Sequence, residues 1–494
     1  MNLMMLLDMA ASAFGDRVAV HNGDDELTYK GLYDAAGAAA AEIVASGCER
    51  VALLDVNSLA VPVALFASAW AGVPFVPLNY RLTPSELEAL LARIAPAYLI
   101  ARSDAVEGID AVDRDEFLAR ATAGGPVAEP WSMDPESIAV LLFTSGTTGE
   151  PKAAVLRHRH LVSYILGSVE FASADASDAA LVSVPPYHVA GIAAIASSVY
   201  AGRRIVQLDS FTPERWADLA RAERITNAMV VPTMLVRIVD ALEQSGDSKL
   251  PDLRALSYGG GKMPLPVIEA AMRLLPDVDF TNAYGLTETS STIAVLTPDD
   301  HREAASSTDP AVRRRLSSLG KPLPGIELEI RGPGGEALGA GETGEICVRG
   351  EQISGEYVGL PSRVGDDGWF PTRDAGWLDD GGYLHLDGRI DDVIVRGGEN
   401  ISPGEVEAVI LEHEAVADCA VVGVPDEQWG EAVAAVVVAR AGRTVTADDI
   451  HEWVRSRLRS SRAPQLVAVR DELPYNETGK LLRRRVRDDL AGPP

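Results

Sequence analysis

Short apolar runs alternate with amphipathic stretches through the first half of the chain. The runs are rich in Val, Ile and Leu, which is typical of strands that are buried on both faces. Eight of them are predicted to be strands: residues 51–55, 74–78, 98–101, 138–143, 181–184, 205–208, 229–231 and 256–258. Residues 60–70 and 84–94 show helical spacing, and Thr83 to Glu86 form a typical helix start. This alternation predicts layered α/β sheets.

The pattern changes near residue 320. Glycine and proline become frequent there, and short alternating runs at residues 346–349 and 383–386 predict β-hairpins. Four later segments predict a small α+β domain: residues 421–424, 433–438, 447–458 and 466–469.

These changes predict the domain organisation. The second change follows residues 388–392, so we place the boundary there. We predict an N-terminal domain of residues 1–390, with a β-rich subdomain at about 320–390, and a C-terminal domain of residues 391–494. The expected fold class is α/β, with layered α/β sheets and a β-rich subdomain in the large domain and an α+β arrangement in the small one.

Composition limits the classes of partner. The chain has 494 residues, 47% hydrophobic and 23% charged, which fits a soluble globular protein. Its net charge of −28 argues against nucleic acid or an anionic membrane as the main partner. Three scattered cysteines exclude a disulfide framework or a Cys-based zinc site. No apolar run is long enough to span a bilayer, and residues 1–13 fit an amphipathic helix better than a signal peptide. We therefore expect a cytoplasmic protein without stable membrane insertion.

The strongest local feature is an apolar strand, residues 141–143, that runs into a loop of glycines and hydroxyl residues ending in a lysine. Glycines let backbone N–H groups converge on an anion, hydroxyls add donors, and the lysine adds charge. We expect seven residues to bind a polyphosphate: Thr144, Ser145, Gly146, Thr147, Thr148, Gly149 and Lys152. The loop is not a Walker A sequence, because no glycine directly precedes the lysine and no Ser or Thr follows it. A plain Ser/Thr/Gly surface loop is the alternative.

A second segment, residues 282–289, places an aromatic ring and a carboxylate close together. Tyr284 could stack on a base, and Glu288 could hold Mg²⁺, which favours oxygen ligands and phosphates. Gly259 and Gly260 form a permissive turn that a flat ligand could approach. Taken alone, each segment is explained equally well as a structural turn.

Two further positions offer charge for a nucleotide. Asp374 and Arg389 supply a carboxylate and a guanidinium suited to ribose hydroxyls, although solvated surface turns would look the same. Lysine is rare here, six of 44 basic residues, yet Lys152 and Lys480 each end a loop rich in Gly and Thr. A compact ammonium on a flexible stem can follow a moving phosphate, so these two lysines are candidates for function.

Together, in this order along the chain, the segments resemble the adenylate-forming superfamily, which includes acyl-CoA synthetases, aryl-CoA ligases, luciferase and adenylation domains. The resemblance covers essentially the whole chain and is nearest to the AMP-forming acyl-CoA ligases. It implies a two-step carboxylic acid:CoA ligase that uses ATP, Mg²⁺ and CoA. A carboxylate first attacks the α-phosphate and releases pyrophosphate. A mobile C-terminal domain then rotates, and a thiol attacks the acyl-adenylate and releases AMP.

The resemblance also implies roles for single residues. Thr144 to Lys152 would hold the β- and γ-phosphates, Glu288 the Mg²⁺ ion, and Thr287 the α-phosphate. Tyr284 would stack on adenine, and Asp374 with Arg389 would hold the ribose. Asp391 falls at the hinge. Lys480 would contact the reacting carboxylate and the α-phosphate in the first step only.

Two positions depart from the family pattern. Ala153 follows Lys152 where the family has glycine, and Arg373 stands where the family has glycine in Thr-Gly-Asp. Neither change removes a charged catalytic group, so activity is expected. The Arg373 guanidinium could meet phosphate or face solvent.

The nature of the acid follows from residues 185–192. Adenylation domains for amino acids carry an aspartate in this stretch, whereas here it has no carboxylate, and it has no arginine to pair a second carboxylate. His188 would lie beside the reacting carboxylate, or would be a core histidine without acid–base work. The resemblance implies an apolar pocket formed by seven residues: His188, Val189, Ala190, Ile192, Met234, Ala283 and Gly285. We expect a hydrophobic monocarboxylic acid, aromatic or of short to medium chain.

The acceptor is expected to be CoA. By resemblance, Gly397 and Gly398 would let pantetheine pass the backbone, Trp429 would line its tunnel, and Arg81 would contact a CoA phosphate, although a surface charge explains Arg81 nearly as well. Two alternatives remain: an acyl-AMP ligase that passes its acid to a carrier protein, and a ligase-like protein that binds nucleotide or acyl ligand without turnover. The expected oligomeric state is a monomer or a homodimer.

Overall fold

The computed structural model describes residues 1–102, 109–144, 151–440, 442–475 and 481–491. The chain forms two compact units. The first comprises Met1–Leu316, Pro322–Glu327 and Arg349–Phe370, and the second comprises Ser317–Lys321, Leu328–Val348 and Pro371–Pro494.

A six-stranded sheet in the first unit has the order β6-β5-β3-β4-β7-β8. Its strands are β3 (Arg50–Leu54), β4 (Phe75–Pro77), β5 (Ala97–Ala101), β6 (Val112–Asp113), β7 (Ile138–Thr144) and β8 (Lys152–Arg157). All neighbours pair in parallel except β7 and β8, which form an antiparallel hairpin. The helices between these elements are α2 (Tyr29–Ser46), α3 (Ala60–Ala71), α4 (Pro84–Ile94) and α5 (Arg114–Thr122). The start of α4 carries a capping box formed by Thr83 and Glu86, as its sequence predicts.

A nine-stranded sheet has the order β15-β14-β13-β12-β11-β9-β10-β1-β2. Its strands are β1 (Val18–Asn22), β2 (Asp25–Thr28), β9 (Ala179–Val182), β10 (Arg204–Gln207), β11 (Asn227–Val230), β12 (Ala255–Gly259), β13 (Asp279–Leu286), β14 (Ser291–Leu296) and β15 (Lys321–Pro322). The six strands from β13 to β1 in this order are parallel, so their carboxyl ends meet at one edge. That edge is where ligands bind in open α/β sheets.

Helices cover this sheet on both faces. The helices of this part of the chain are α1 (Met4–Phe14), α6 (His158–Ser168), α7 (Val189–Ala201), α8 (Pro213–Ala222), α9 (Pro232–Ser245), α10 (Leu265–Leu274), α11 (Pro298–Ser306) and α12 (Pro310–Arg313). One core cluster joins α1, α2, α3 and α7 to residues of both sheets, and a second joins α8, α9 and α10 to the opposite face of the larger sheet. This is the layered arrangement that the alternating pattern predicts.

The second unit is built on two smaller sheets. A four-stranded sheet has the order β16 (Glu327–Arg331), β17 (Gly344–Arg349), β18 (Phe370–Leu378) and β19 (Leu384–Arg389). The other has the order β21-β20-β23-β22, with β24 paired to β23. Its elements are β20 (Ile394–Arg396), β21 (Glu399–Ile401), α13 (Pro403–Leu411), β22 (Val416–Asp426), β23 (Gly430–Ala439), α14 (Ala447–Arg455), β24 (Leu466–Arg470) and α15 (Arg483–Ala491). Four 3₁₀ turns complete the described structure: Thr287–Thr289, Arg314–Ser317, Ile390–Asp392 and Ser460–Arg462.

The fold class is confirmed: several sheets form a large α/β part, and a smaller α+β part follows. By compactness, however, most of the β-rich segment groups with the C-terminal residues. A compact unit groups residues that pack together, whereas a hinge separates residues that move relative to each other. The domain boundary between residues 390 and 391 therefore stays a prediction. Among the described residues, no helix is both long and apolar enough to cross a membrane.

Candidate active site

The β7–β8 hairpin brings together the two ends of the predicted phosphate loop. Thr144 pairs with Lys152 across the hairpin, and the Thr144 hydroxyl donates to the Lys152 carbonyl at 3.4 Å. Both residues are partly buried. The loop residues Ser145, Gly146, Thr147, Thr148 and Gly149 lie outside the described residues. The lysine and the first threonine therefore flank the loop at the end of a buried strand pair, as the sequence predicts.

Glu288 lies in the 3₁₀ turn Thr287–Thr289 and is held from two directions. Its backbone carbonyl accepts hydrogen bonds from the N–H groups of Ser354, at 2.8 Å, and Gly355, at 3.2 Å. Its Oε1 accepts a hydrogen bond from the Tyr357 hydroxyl. Burial, reinforced by the Glu288 charge, raises the pKa of Tyr357. The phenol therefore stays protonated at neutral pH and can donate to the carboxylate.

Buried hydrogen bonds fix the backbone just after Glu288. Thr289 is fully buried; its hydroxyl accepts from the Leu286 N–H at 2.9 Å and donates to the Ser291 carbonyl at 2.8 Å. The Gln352 amide donates to the Thr289 carbonyl at 2.9 Å and to the Thr292 carbonyl at 2.8 Å. Ser291 takes a left-handed φ of 107°, which is costly for a residue with a side chain. The network holds this turn in a conformation that it would not adopt alone.

The segment that carries Tyr357 is attached to β8. The Val155 N–H donates to the Glu356 carbonyl at 3.0 Å, and the Val358 N–H donates to the Ala153 carbonyl at 2.9 Å. Arg157 and Glu356 add a bidentate ion pair, with Nε–Oε1 at 2.9 Å and Nη2–Oε2 at 2.7 Å. Hydrogen bonding from Arg157 lowers the pKa of Glu356. The strand that follows the phosphate loop is thus linked through this segment to Glu288.

Close backbone contacts explain two of the predicted glycines. A Cβ on Gly259 would lie 2.1 Å from the Ala283 carbonyl oxygen, and a Cβ on Gly285 would lie 1.8 Å from the Ser291 carbonyl oxygen. Gly260 has a left-handed φ of +84°. The Tyr284 side chain, next to these glycines on β13, is 8% exposed. Gly259 and Gly285 are therefore required by packing, and their roles toward a nucleotide or an acid stay predictions.

His188 immediately precedes α7, and its ring is the last of three neighbouring rings, after Tyr80 and Tyr187. Its ring centroid is 4.5 Å from that of Tyr187, which meets the Tyr80 ring edge-on at 5.4 Å. The Arg81 guanidinium lies 5.5 Å from the Tyr80 ring centroid. Burial, with a smaller contribution from the Arg81 charge, lowers the pKa of His188 to about 4. The imidazole is therefore neutral at pH 7, and its buried Nε2 has no hydrogen-bond partner in the part of the chain that the structure describes.

The predicted pocket residues fall on the first turns of two helices and on one strand. Val189 and Ala190 begin α7, Met234 lies in the first turn of α9, and all three are partly buried against the core cluster that contains Ile192. Ala283 and Gly285 lie on β13, two strands from β11, and are partly buried. The residues that begin α7 form an apolar turn that directly follows the neutral His188 in the chain.

In the second unit, Asp374 and Arg389 are paired across β18 and β19. Arg389 Nη1 donates to Asp374 Oδ1 at 2.7 Å, and Asp374 is 6% exposed. Between these strands and the predicted hinge, the Arg373 guanidinium donates to the Asp391 carboxylate. Arg373 has a left-handed φ of 67°, and its N–H donates to Glu345 Oε1 at 2.9 Å. The departure from the family pattern thus places an ion pair on Asp391, the predicted hinge residue.

The predicted CoA residues Gly397 and Gly398 lie in the turn between β20 and β21. The Gly397 N–H donates to the Trp429 carbonyl at 2.8 Å, and a Cβ on Gly397 would lie 2.7 Å from the Trp429 ring. The Trp429 side chain is 45% exposed. The structure therefore brings these three residues together, whereas Arg81 lies in the first unit.

Lys480 lies outside the described residues, but its neighbours are defined. Tyr475 and Leu481 pair with each other, and the Tyr475 hydroxyl donates to Asp418 Oδ2 at 2.7 Å. The two described residues that flank the segment with Lys480, Tyr475 and Leu481, are therefore joined by a β-bridge.

The described residues fit magnesium that arrives with a substrate. They contain no group of three or more His, Cys, Asp or Glu side chains that could hold a metal ion by themselves. Glu288 supplies one oriented carboxylate with a hydroxyl donor beside it. Magnesium is commonly bound by one or two carboxylates and completed by substrate phosphates. As a single carboxylate, Glu288 would therefore hold Mg²⁺ only together with phosphate oxygens of a substrate.

Four residues around Glu288 were not predicted from the sequence: Tyr357, Arg157, Glu356 and Gln352. Their partners lie far away in the chain, and 199 residues separate Arg157 from Glu356. No local pattern marks such a contact.

The family models agree with this architecture. The model described as AMP-binding enzyme matches residues 7–358, and the model described as AMP-binding enzyme C-terminal domain matches residues 405–480. The chain belongs to the AMP-binding enzyme family.

Curated relatives match almost the full length. A fatty acid–[acyl-carrier-protein] ligase, ScoC, of Streptomyces coeruleorubidus is 33% identical over 94% of this chain and 92% of its own. A feruloyl-CoA synthase of an Amycolatopsis species is 33% identical over 95% of each chain. Among solved structures, o-succinylbenzoate CoA synthetase (MenE) from Bacillus subtilis in complex with the acyl-adenylate intermediate OSB-AMP is 29% identical, covers 98% of each chain and has a TM-score of 0.85.

Proposed function

We propose that this enzyme, an AMP-forming carboxylic acid:CoA ligase, activates a hydrophobic monocarboxylic acid, aromatic or of short to medium chain. The observation that carries the substrate class is the neutral His188 at the start of α7, whose first turn is apolar. A half-buried neutral imidazole next to Val189 and Ala190 accommodates an apolar acyl group and offers no cation to a second carboxylate.

ATP is held by groups from several elements. Lys152 and the loop before it contact the β- and γ-phosphates, Thr287 contacts the α-phosphate, and Tyr284 stacks on adenine. Asp374, paired with Arg389, accepts the ribose hydroxyls. Bound Mg²⁺ neutralises phosphate charge, and Glu288, oriented by Tyr357, holds it.

In the first step, a carboxylate oxygen of the acid attacks the α-phosphorus, and the bond to the bridging oxygen of pyrophosphate breaks. Such a reaction needs positioned reactants and stabilised charge more than it needs a protein nucleophile. Lys480 supplies positive charge where the carboxylate meets the α-phosphate. His188, neutral at pH 7, lies beside the reacting carboxylate without adding a charge that would lower its reactivity.

In the second step, the CoA sulfur attacks the acyl carbonyl and AMP leaves with the bonding electrons. Gly397 and Gly398 leave room beside the backbone, and Trp429 lines the path of the pantetheine chain. Asp391 is the hinge between the two steps. Because the net charge is −28, binding of ATP and CoA depends on local cations and Mg²⁺ and not on long-range attraction.

A carrier protein as acceptor is the second candidate, supported by the relative named as an acyl-carrier-protein ligase. The test is pyrophosphate release from a panel of acids, measured with and without CoA. We expect release with hydrophobic monocarboxylates and acyl-CoA formation when CoA is present. Acyl-AMP that accumulates regardless of CoA favours the carrier protein. No pyrophosphate from any acid supports a binding protein without turnover.

A further inference from the structure

Gln207, the last residue of β10, is a buried amide without partners. It is 4% exposed, and neither its Nε2 nor its Oε1 has a hydrogen-bond partner among the described residues. Burying an amide without hydrogen bonds opposes folding. A second buried glutamine, Gln352, shows the ordinary arrangement, since its amide donates to two carbonyls. Gln207 therefore has two buried amide atoms that lack the hydrogen bonds a buried glutamine normally makes.

The strand register shows which way Gln207 points. It pairs with Val182 on β9, which in turn pairs with Met229 on β11, so these three side chains lie in one row on one face of the sheet. Val182 and Met229 belong to the core region that contains Val189, Ala190 and Met234. The preceding residue, Val206, belongs to the cluster on the opposite face. Gln207 thus points to the face that α7 covers.

Gln207 also lies at the correct end of this face. It ends β10, and β9, its parallel neighbour, leads directly into His188 and α7. The carboxyl ends of the strands and the first turn of α7 therefore occupy the same edge of the sheet, which is the ligand-binding edge in this class of fold. Met229 and Met234 lie on the same face, and unbranched thioether side chains move readily to admit a ligand.

We propose that Gln207 is a specificity residue whose amide binds a hydroxyl group on the part of the acyl chain remote from the carboxylate. The inference rests on the proposed function and deepens it: the substrate is a hydrophobic monocarboxylic acid with a hydroxyl substituent. A hydroxyl both donates and accepts, as the two unpartnered amide atoms require. The amide is neutral, so it does not select a second carboxylate.

The first arm of the test measures stability. Gln207→Met keeps the approximate volume and removes the amide, and we expect its melting temperature to equal or exceed that of the wild type. Gln352→Met is the matched control: it leaves two backbone carbonyls unpaired, and we expect its melting temperature to fall. A clear loss of stability in Gln207→Met would show that the amide already has a partner in the free enzyme and would refute the proposal.

The second arm compares two acids within the same enzyme variant, so that a general loss of activity cancels in the ratio of the two kcat/KM values. Pyrophosphate release is compared for benzoate and 4-hydroxybenzoate, cinnamate and 4-hydroxycinnamate, and octanoate and 8-hydroxyoctanoate. In at least one pair we expect the wild type to prefer the hydroxylated acid by about 10-fold in kcat/KM, and Gln207→Met to reduce this ratio to about 1. Gln207→Leu gives a second apolar replacement, for which we expect the same loss of selectivity.

A third measurement needs no variant: the hydroxylated acid of the preferred pair should raise the wild-type melting temperature more than its unsubstituted partner does. A wild type without hydroxyl preference in every pair, or a preference that survives in Gln207→Met, overturns the role of Gln207 and leaves the proposed function intact. No pyrophosphate from any acid overturns both.

Discussion

Two carboxylates, one in each unit, are held in opposite ways. Around Glu288 the contacts are mostly buried hydrogen bonds: Tyr357 donates to its side chain, and Gln352 and Thr289 fix the turn that follows. In the second unit, the Asp391 carboxylate is instead held by an exposed ion pair with the Arg373 guanidinium.

The difference separates a rigid region of the first unit from an adjustable region of the second. Buried hydrogen bonds are costly to break, because a polar group left without a partner is not rescued by water. The Arg373 and Asp391 side chains are each 42% exposed, so water and salt can replace their contact at little cost. The Glu288 region is suited to hold one geometry, and the Asp391 region is suited to change it.

The largest expected effect sharpens this contrast by separating the two chemical steps. Lys480→Ala should slow adenylation by about 10²–10³-fold, by analogy with the loss of one donor to a developing charge, and leave thioester formation from supplied acyl-AMP largely intact. Single-turnover assays of each step measure this. Lys249→Ala, which removes another of the six lysines, is the control. Equal loss in both steps would contradict a residue that acts only in the first.

Acid should break the rigid part of the first unit. Burial lowers the pKa of His158 and of His160 to about 4, and in neutral form their Nδ1 atoms accept hydrogen bonds from Leu3 and Arg157 N–H groups. Because the unfolded chain binds these protons at a pKa of about 6.5, stability is complete above that pH and is lost as the pH falls towards 4.

At pH 5 each of these histidines should cost about 2 kcal/mol relative to pH 7. Urea unfolding followed between pH 7 and pH 5 measures this loss. His158→Gln should flatten the acid limb, because glutamine can accept the Leu3 hydrogen bond and does not titrate. An unchanged slope in that variant would show that His158 does not carry the pH dependence.

Tyr357→Phe tests the rigid region directly. Losing a hydrogen bond to a charged acceptor should weaken the apparent affinity for Mg²⁺ by about 10-fold. Binding of Mn²⁺ in the presence of a non-hydrolysable ATP analogue, followed by electron paramagnetic resonance, reports this independently of turnover. Tyr475→Phe removes the analogous phenol–carboxylate contact with Asp418 in the second unit and should leave Mn²⁺ affinity unchanged. If the two variants behave alike, Tyr357 has no special role at Glu288.

The smallest expected effect concerns Arg373. At φ 67° a glycine is unstrained and any other residue pays about 1 kcal/mol, so Arg373→Gly should be about 1 kcal/mol more stable than Arg373→Ala. Both variants lose the same ion pair, so the difference isolates the backbone. Urea unfolding of the two variants measures it. Equal stabilities would mean that the left-handed conformation is not maintained in solution.

Much of the layered architecture follows from local patterns. The helix α4 covers the predicted residues 84–94 because a capping box fixes its start and an apolar stripe fixes its face. The strand β7 was likewise marked by the apolar run at residues 138–143, whereas its hairpin partner β8 was not predicted. In these cases the deciding forces act within about ten residues of each other.

The parts that were missed depend on long-range partners. Tyr357 lies 69 residues from Glu288 in sequence, and nothing near it indicates a carboxylate contact. Arg373 was recognised as a departure, but its partner Asp391 and its left-handed backbone appear only in the folded structure. Gln207 looks like an ordinary polar residue at a strand end, and it becomes informative only because its amide atoms lack partners.

The exposed indole of Trp429 has a practical optical consequence. It is the most exposed of the seven tryptophans, all of which lie among the described residues, and its ring lies against Gly397 with the Arg396 guanidinium 5.5 Å from the ring centroid. Its emission should therefore be the most red-shifted of the seven and the most easily quenched by acrylamide. A fluorescence change that disappears in Trp429→Phe would give a direct, label-free signal for the arrival of the thiol acceptor.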